Sequence, residues 1–329
     1  SELWSIRKAI RETSRKRHER ISELKDRATQ IEIQINEDLF SQARVVASTL
    51  VSSNHRVLSG RKFSTLFIDE AAQALEAACW IAIRKAERVV LAGDHCQLPP
   101  TIKCIDAARG GLSNTLMEKI VTGKPQSVSL LKVQYRMHQA IMHFPSHWFY
   151  SGEVYAAPQV HNRSILDYDT PLVWLDTSGQ DFHEEFVGDS YGRINKSEAN
   201  LLLTELENYI KRIGPKRMLD ERIDFGIISP YKAQVQYLRN EIKRSRFLRP
   251  FKAAITVHTV DGFQGQERDV IFISLVRAND DGQIGFLSDL RRMNVAITRA
   301  RMKLVILGDA STLTKHKFYR ELFEYIKLL

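Results

Sequence analysis

No glycine-rich phosphate loop of the form Gly-x-x-x-x-Gly-Lys-Ser/Thr occurs in these 329 residues. The one Gly-Lys pair, Gly123-Lys124, runs into Pro125 instead of Ser or Thr. A nucleotide bound by this stretch would therefore lack its commonest cradle of backbone N–H groups. Cysteine is scarce as well. Cys79, Cys96 and Cys104 are too few and too irregularly spaced for a disulfide framework or a four-ligand zinc site. No apolar run approaches the length of a membrane span, and the chain opens on charged residues without an apolar signal region. The expectation is an intracellular protein, cytoplasmic or nuclear in a eukaryote, with no membrane partner.

What is present is ordinary in bulk and specific in detail. Hydrophobic residues make up 43% and charged residues 26%, the balance of a soluble globular chain long enough for two domains. Lys and Arg outnumber Asp and Glu by 48 to 39, a net charge of +9, which favours a polyanionic partner.

Ile21, Leu24, Ala28, Ile31 and Ile35 recur in steps of three and four. They predict an apolar stripe on a helix, and Leu3, Ile6 and Ile10 begin a similar one. Residues 1–42 are read as a helical stalk, one long helix or a helical hairpin, and the basic run at 15–20 as a solvated face. Beyond it, short apolar runs alternate with helical periodicity. Strands are expected at 45–49, 65–68, 89–92, 128–131, 172–175, 225–229, 255–257, 270–275 and 304–307. Helices are expected at 70–86, 112–121, 196–212, 230–245, 289–299 and 312–327. Continuously apolar strands alternating with helices predict an α/β fold, parallel sheets covered on both faces. The divisions expected are 1–42, 43–126 and 127–329.

Five motifs follow in order. Asp69-Glu70 follows the apolar run Leu66-Phe67-Ile68, which places two carboxylates at a strand's carboxyl end, the ligand edge of an open α/β sheet. Nucleotide hydrolysis needs one carboxylate for Mg²⁺, here Asp69, and one group to orient or deprotonate water, here Glu70. Gln97, in Gly93-Asp94-His95-Cys96-Gln97-Leu98-Pro99-Pro100, offers an amide to a γ-phosphate or to that water. Arg136, in Gln134-Tyr135-Arg136-Met137-His138, and Arg299, in Asn294-Val295-Ala296-Ile297-Thr298-Arg299-Ala300-Arg301, supply planar cations for phosphoryl oxygens. Which of Arg299 and Arg301 faces the nucleotide stays open. The stretch Gly262 to Glu267 joins glycines that allow close backbone approach with Gln264, Gly265, Gln266 and Glu267. Thr256, His258 and Thr259, with Ser229 and Tyr231, offer small donors to the phosphates of a strand. His143 and His147 flank Pro145 without a Glu after His143, so they do not make the H-E-x-x-H zinc pattern.

Together these strings closely resemble superfamily 1 helicases of the Upf-like (1B) group, from about Ala43 to the C-terminus. The resemblance implies two RecA-like parallel-sheet domains, the first incomplete here, with ATP and Mg²⁺ between them, and single-stranded DNA or RNA moved 5′ to 3′. It implies arginine fingers at Arg136 and Arg299, packing of Tyr135 near the adenine, and a ribose contact at Glu267. Gln264 and Gly265 are placed with the nucleotide, and Thr49 with the nucleic acid. In that group the phosphate loop lies upstream of the stalk. The expectation is accordingly the C-terminal portion of a longer enzyme, partnered by its own N-terminal remainder. Residues 1–329 alone would bind ATP poorly, and their first sheet would expose an edge. The competing reading is a degenerate helicase that grips nucleic acid or protein without hydrolysis.

Overall fold

The computed structural model describes residues 2–12, 18–188 and 192–329. Residues 15–17 of the basic run at 15–20 lie outside the described residues. The chain divides into two compact units, residues 1–94 with 99–123 and residues 95–98 with 124–329.

The first unit contains α1 (Glu2–Glu12), α2 (His18–Gln42), β1 (Phe63–Ile68), α3 (Glu76–Ile83), β2 (Ala86–Leu91), α4 (Ile105–Ala107) and α5 (Leu116–Gly123). The two opening stripes meet where α1 packs on α2: Ile6 and Ala28 are buried, while Ile35 stays exposed. Ion pairs Glu2–Arg27 and Arg7–Glu32 flank the contact but are too exposed to add much stability. Strands β1 and β2 pair in parallel, Thr65 opposite Arg88 and Ile68 opposite Leu91. Among the described residues β1 has no second partner strand. The small core gathers around Ile68, Ala71 and Cys79, and Phe67 on β1 is 71% exposed. A cavity of about 690 Å³ lies between segment 44–50 and β1.

The second unit opens with a short parallel pair, β3 (Val133–Gln134) and β4 (Tyr155–Ala156), and has a hairpin, β6 (Glu185–Val187) with β7 (Gly192–Ile194). Its centre is a five-stranded, wholly parallel sheet in the order β5 (Leu172–Asp176), β11 (Ala300–Gly308), β10 (Arg268–Ser274), β8 (Phe225–Ser229), β9 (Ile255–Thr259). Helices α6 (Gln139–Phe149), α10 (Leu290–Ile297) and α12 (Lys317–Lys327) supply one core with Ile271, Ile273, Leu304 and Ile306. Helices α7 (Lys196–Ile213), α8 (Pro215–Asp220) and α9 (Lys232–Arg244) supply the other with Val270, Phe272, Val305 and Leu307. A four-residue helix, α11 (Ala310–Leu313), follows β11. Alternate residues of one strand enter opposite cores, which is why the central strands read as unbroken apolar runs.

Two expected strands are absent. Residues 45–49 and 128–131 form no ladder, and Val45 and Leu131 are exposed. Both runs have strand-like composition, but no described strand pairs with them, and unpaired backbone does not make a sheet. The single helix expected at 70–86 is broken, because Glu70 is left-handed (φ 51°) and a 3₁₀ turn, Ala71–Gln73, precedes α3.

The N-terminus of α7 carries the most unusual buried group. Asn195 caps the helix by accepting from the Glu198 N–H. The Glu198 carboxylate, fully buried, accepts from Ser274 Oγ at 2.6 Å and from the Val276 N–H at 2.9 Å. Burial pushes its pKa up to about 7, against the lowering effect of those bonds. A carboxyl raised in the folded state stabilises the protein below its ordinary pKa, and that stability is lost as pH rises through the folded value. Between about pH 4.5 and 7 this group therefore lowers stability by up to about 1.4 kcal/mol per pH unit. Glu198→Gln is expected to flatten that slope in denaturant titrations run at several pH values. Parallel slopes for the two proteins would show that Glu198 titrates normally.

Candidate nucleotide and nucleic-acid site

In the first unit the carboxyl ends of β1 and β2 are tied by two backbone bonds of 2.8 Å, Ala92 N–H to Ile68 O and Ala71 N–H to Ala92 O. Ala71 and Ala72 are buried there. A Cβ on Gly93 would lie 3.0 Å from both their nitrogens, so the Ala-Ala of one motif and the Gly of the next are fitted to each other. Asp69 and Glu70 are exposed at this edge. Asp69 Oδ1 accepts from the Glu70 N–H at 2.9 Å, and Gln73 Nε2 donates to Glu70 Oε2 at 2.6 Å. The left-handed backbone of Glu70 is a strained setting for a side chain, and the Gln73 bond fixes the carboxylate it presents. Thr49 is exposed, exchanges hydrogen bonds with Ser52 and lines the 690 Å³ cavity.

In the second unit Arg299 is 3% exposed. Its Nε donates to Val295 O at 3.0 Å, Nη1 to Gln266 O at 3.3 Å and Nη2 to Gln97 Oε1 at 3.1 Å. The segment carrying Gln97 is anchored on both sides: Leu98 enters the core, and Asn294 Nδ2 donates to Cys96 O at 2.9 Å. Asn294 also donates to Tyr150 Oη at 2.7 Å, while its own Oδ1, buried, has no hydrogen-bond partner among the described residues. Reading the motifs singly missed Asn294 and Cys96 as positioning groups, although both lie inside quoted strings.

Arg136 is held by its own motif. Gln134 Oε1 accepts from the Arg136 and Met137 N–H groups at 2.8 and 2.7 Å, and Nε2 returns a bond to Met137 O. The turn so built leaves Tyr135 68% exposed. His138 caps α6 by accepting from the Ala140 N–H, and burial lowers its pKa. Arg136 pairs with Glu267 and donates to Thr298 O at 3.1 Å. The other Glu267 oxygen lies 3.2 Å from Arg301 Nε. Burial raises the Glu267 pKa, but the Arg136 bond and the charges of Arg136, Arg301 and Arg163 outweigh it and hold the carboxyl below its ordinary value. Arg301 also reaches Asp269 at 2.9 Å, so Arg299 and Arg301 serve different partners. Gln264 is half-buried and Gly265 exposed beside them.

The expected nucleic-acid residues divide by burial. Thr256 accepts from Arg268, Thr259 accepts from the Gly262 N–H, and His258 is half-buried with its pKa lowered by burial and by Arg239. Ser229 and Tyr231 are buried, Tyr231 at 3% exposure. Ser229 ends β8, and Tyr231 lies beneath the loop that carries Gly285 and Phe286.

A five-stranded parallel sheet covered on both faces in one unit, and a parallel strand pair with two carboxylates at its carboxyl end in the other, define an α/β protein of RecA-like architecture. Comparison with known proteins is in agreement. Residues 112–311 match one AAA-domain family model and residues 4–104 another. The chain is 38% identical over 313 residues to DNA polymerase alpha-associated DNA helicase A of Saccharomyces cerevisiae, covering 84% of this chain and 44% of that protein. It is 33% identical over 326 residues to an uncharacterized ATP-dependent helicase of Methanocaldococcus jannaschii, covering 94% and 46%. It is 36% identical over 297 residues to the Regulator of nonsense transcripts 1 homolog of Drosophila melanogaster, covering 88% and 24%. The chain belongs to the AAA-domain family of Upf-like superfamily 1 helicases. It spans less than half the length of these relatives.

Proposed function

We propose that this chain is part of an ATP-dependent helicase or translocase that moves 5′ to 3′ on single-stranded nucleic acid. In this reading residues 1–42 are the stalk, 43–126 part of the first RecA-like domain and 127–329 the second. The observation that carries it is the buried Arg299, whose fork is aimed by two carbonyls and by Gln97. Such positioning of a cation is costly and suits a developing phosphoryl charge. The helicase names of the relatives support the reading.

The donor set fits a nucleotide with Mg²⁺ in part. Asp69 and Glu70 are hard oxygen donors exposed at a strand end, whereas these residues hold no Gly-x-x-x-x-Gly-Lys-Ser/Thr loop for the phosphates. Bound ATP supplies the phosphoanhydride bond whose hydrolysis drives movement. Asp69 would hold a Mg²⁺ ion, which would offset phosphate charge, and Glu70 would orient the water and take its proton on a carboxylate oxygen. Gln97 reports the γ-phosphate, while Arg136 and Arg299 neutralise charge. Tyr135 packs on the adenine, and Glu267, with Gln264 and Gly265, receives the ribose. Glu267 is paired with Arg136 in the structure, so nucleotide entry exchanges that half-exposed pair for new contacts at little cost. Thr49, Thr256, His258 and Thr259 face the strand.

The test is unwinding by the full-length protein of partial duplexes bearing a single-stranded tail on one end. ATP-dependent unwinding from a 5′ tail, and not from a 3′ tail, is expected. Tight strand binding without ATP-dependent unwinding or ATP hydrolysis would support the non-hydrolysing binding module instead.

A further inference from the structure

Beyond the carboxyl ends of β8 and β10, one aromatic ring is left in solvent by a loop that is otherwise tightly fixed. Phe286 is 54% exposed, while its neighbours Ile284 and Leu287 are buried. Several bonds hold the loop. Asn279 and Gln283 exchange reciprocal bonds of 2.9 Å, and Tyr319 Oη donates to Leu287 O at 2.7 Å. Gly285, at φ 54°, lies so close to the layer beneath that a Cβ there would meet Arg277 Nη1 at 2.7 Å and Tyr231 Oη at 3.0 Å. Arg277 is itself buried and paired with Glu184 at 2.8 Å. The buried Tyr231 ring underlies Phe286, with centroids 5.6 Å apart and planes tilted by 42°. Leaving a phenylalanine half in water forgoes burial energy of order 1 kcal/mol. A loop this constrained keeps that ring in place, at the edge where ligands of parallel sheets bind.

We propose that Phe286 is a base-stacking platform for single-stranded nucleic acid. The inference rests on the nucleic-acid reading above and adds a contact to the face of a base, which the backbone donors do not supply. It also gives Tyr231 a role that its burial permits, as the floor under the stacking ring. Stacking on an aromatic is sequence-tolerant, because every base has a face.

The experiment is fluorescence anisotropy of the full-length protein with a labelled single-stranded oligonucleotide and with its abasic counterpart. Wild type is compared with Phe286→Ala and Phe286→Trp, all checked by thermal melting. Phe286→Ala is expected to weaken binding of the normal strand roughly 5- to 150-fold, and Phe286→Trp to retain it. The abasic strand should bind wild type and Phe286→Ala alike. Equal affinity of Phe286→Ala and wild type for the normal strand overturns the platform and leaves the nucleic-acid reading intact. So does an equal loss on both strands. A wild type that binds neither strand overturns both readings.

Discussion

Arg299→Lys in the full-length protein is expected to lower single-strand-stimulated ATP hydrolysis by roughly a thousandfold, with strand affinity unchanged. The magnitude is that of removing a planar cation from a phosphoryl-transfer site. Lysine keeps the charge but not the fork. A single ammonium cannot reproduce the three directions in which Arg299 bonds Val295 O, Gln266 O and Gln97 Oε1. Arg299 is buried, so the substitution also leaves one or two acceptors unpaired, at about 1–3 kcal/mol each. Steady-state turnover, strand binding and a melting curve separate these effects. Turnover within a few-fold of wild type in a folded Arg299→Lys protein would remove Arg299 from the chemistry.

The second large effect is on stability. Phe318→Ala is expected to destabilise the second unit by about 3–5 kcal/mol, read as a shift of the denaturation midpoint. Phe318 is fully buried at the start of α12 and packs edge-on against Phe144 at 5.2 Å and Trp148 at 5.1 Å, both on α6. It also meets Tyr319 at 5.1 Å. Truncation would empty the joint between two helices, and α6 is the helix capped by His138 next to Arg136. A loss below about 1 kcal/mol would mean that the aromatic cluster closes over the gap, contrary to its packing.

How much of this was legible in the sequence depended on whether a residue acts through its neighbours in the chain. Strand Phe225–Ser229 and helix Lys196–Ile213 follow directly from apolar pattern, because the strand is buried throughout and the helix lays one apolar face on the sheet. The run Val45–Thr49 also has strand-like composition but no partner strand among the described residues, so propensity alone misleads there. At the candidate site, the motifs announced the charged and amide residues. The motifs did not show that Gln134 builds the turn under Arg136, or that Asn294 pins the Gln97 segment. The Asn294 bond spans 198 residues of sequence, which no local pattern encodes. The Gln134 bonds span only two or three residues, but a polar side chain folding back on its own turn leaves no periodic signal. A spacing of two left open which of Arg299 and Arg301 faces a nucleotide; in the structure Arg299 bonds Gln97, while Arg301 pairs with Glu267 and Asp269. Phe286 escaped notice because an apolar residue in an apolar-containing loop reads as core until its exposure is known.

The most direct measurement is ATP hydrolysis by the full-length protein, with and without single-stranded DNA or RNA. Hydrolysis that rises at least tenfold with one of these polymers is expected of a motor that couples turnover to strand movement. Hydrolysis that is absent, or indifferent to both polymers while the strand still binds, would contradict it.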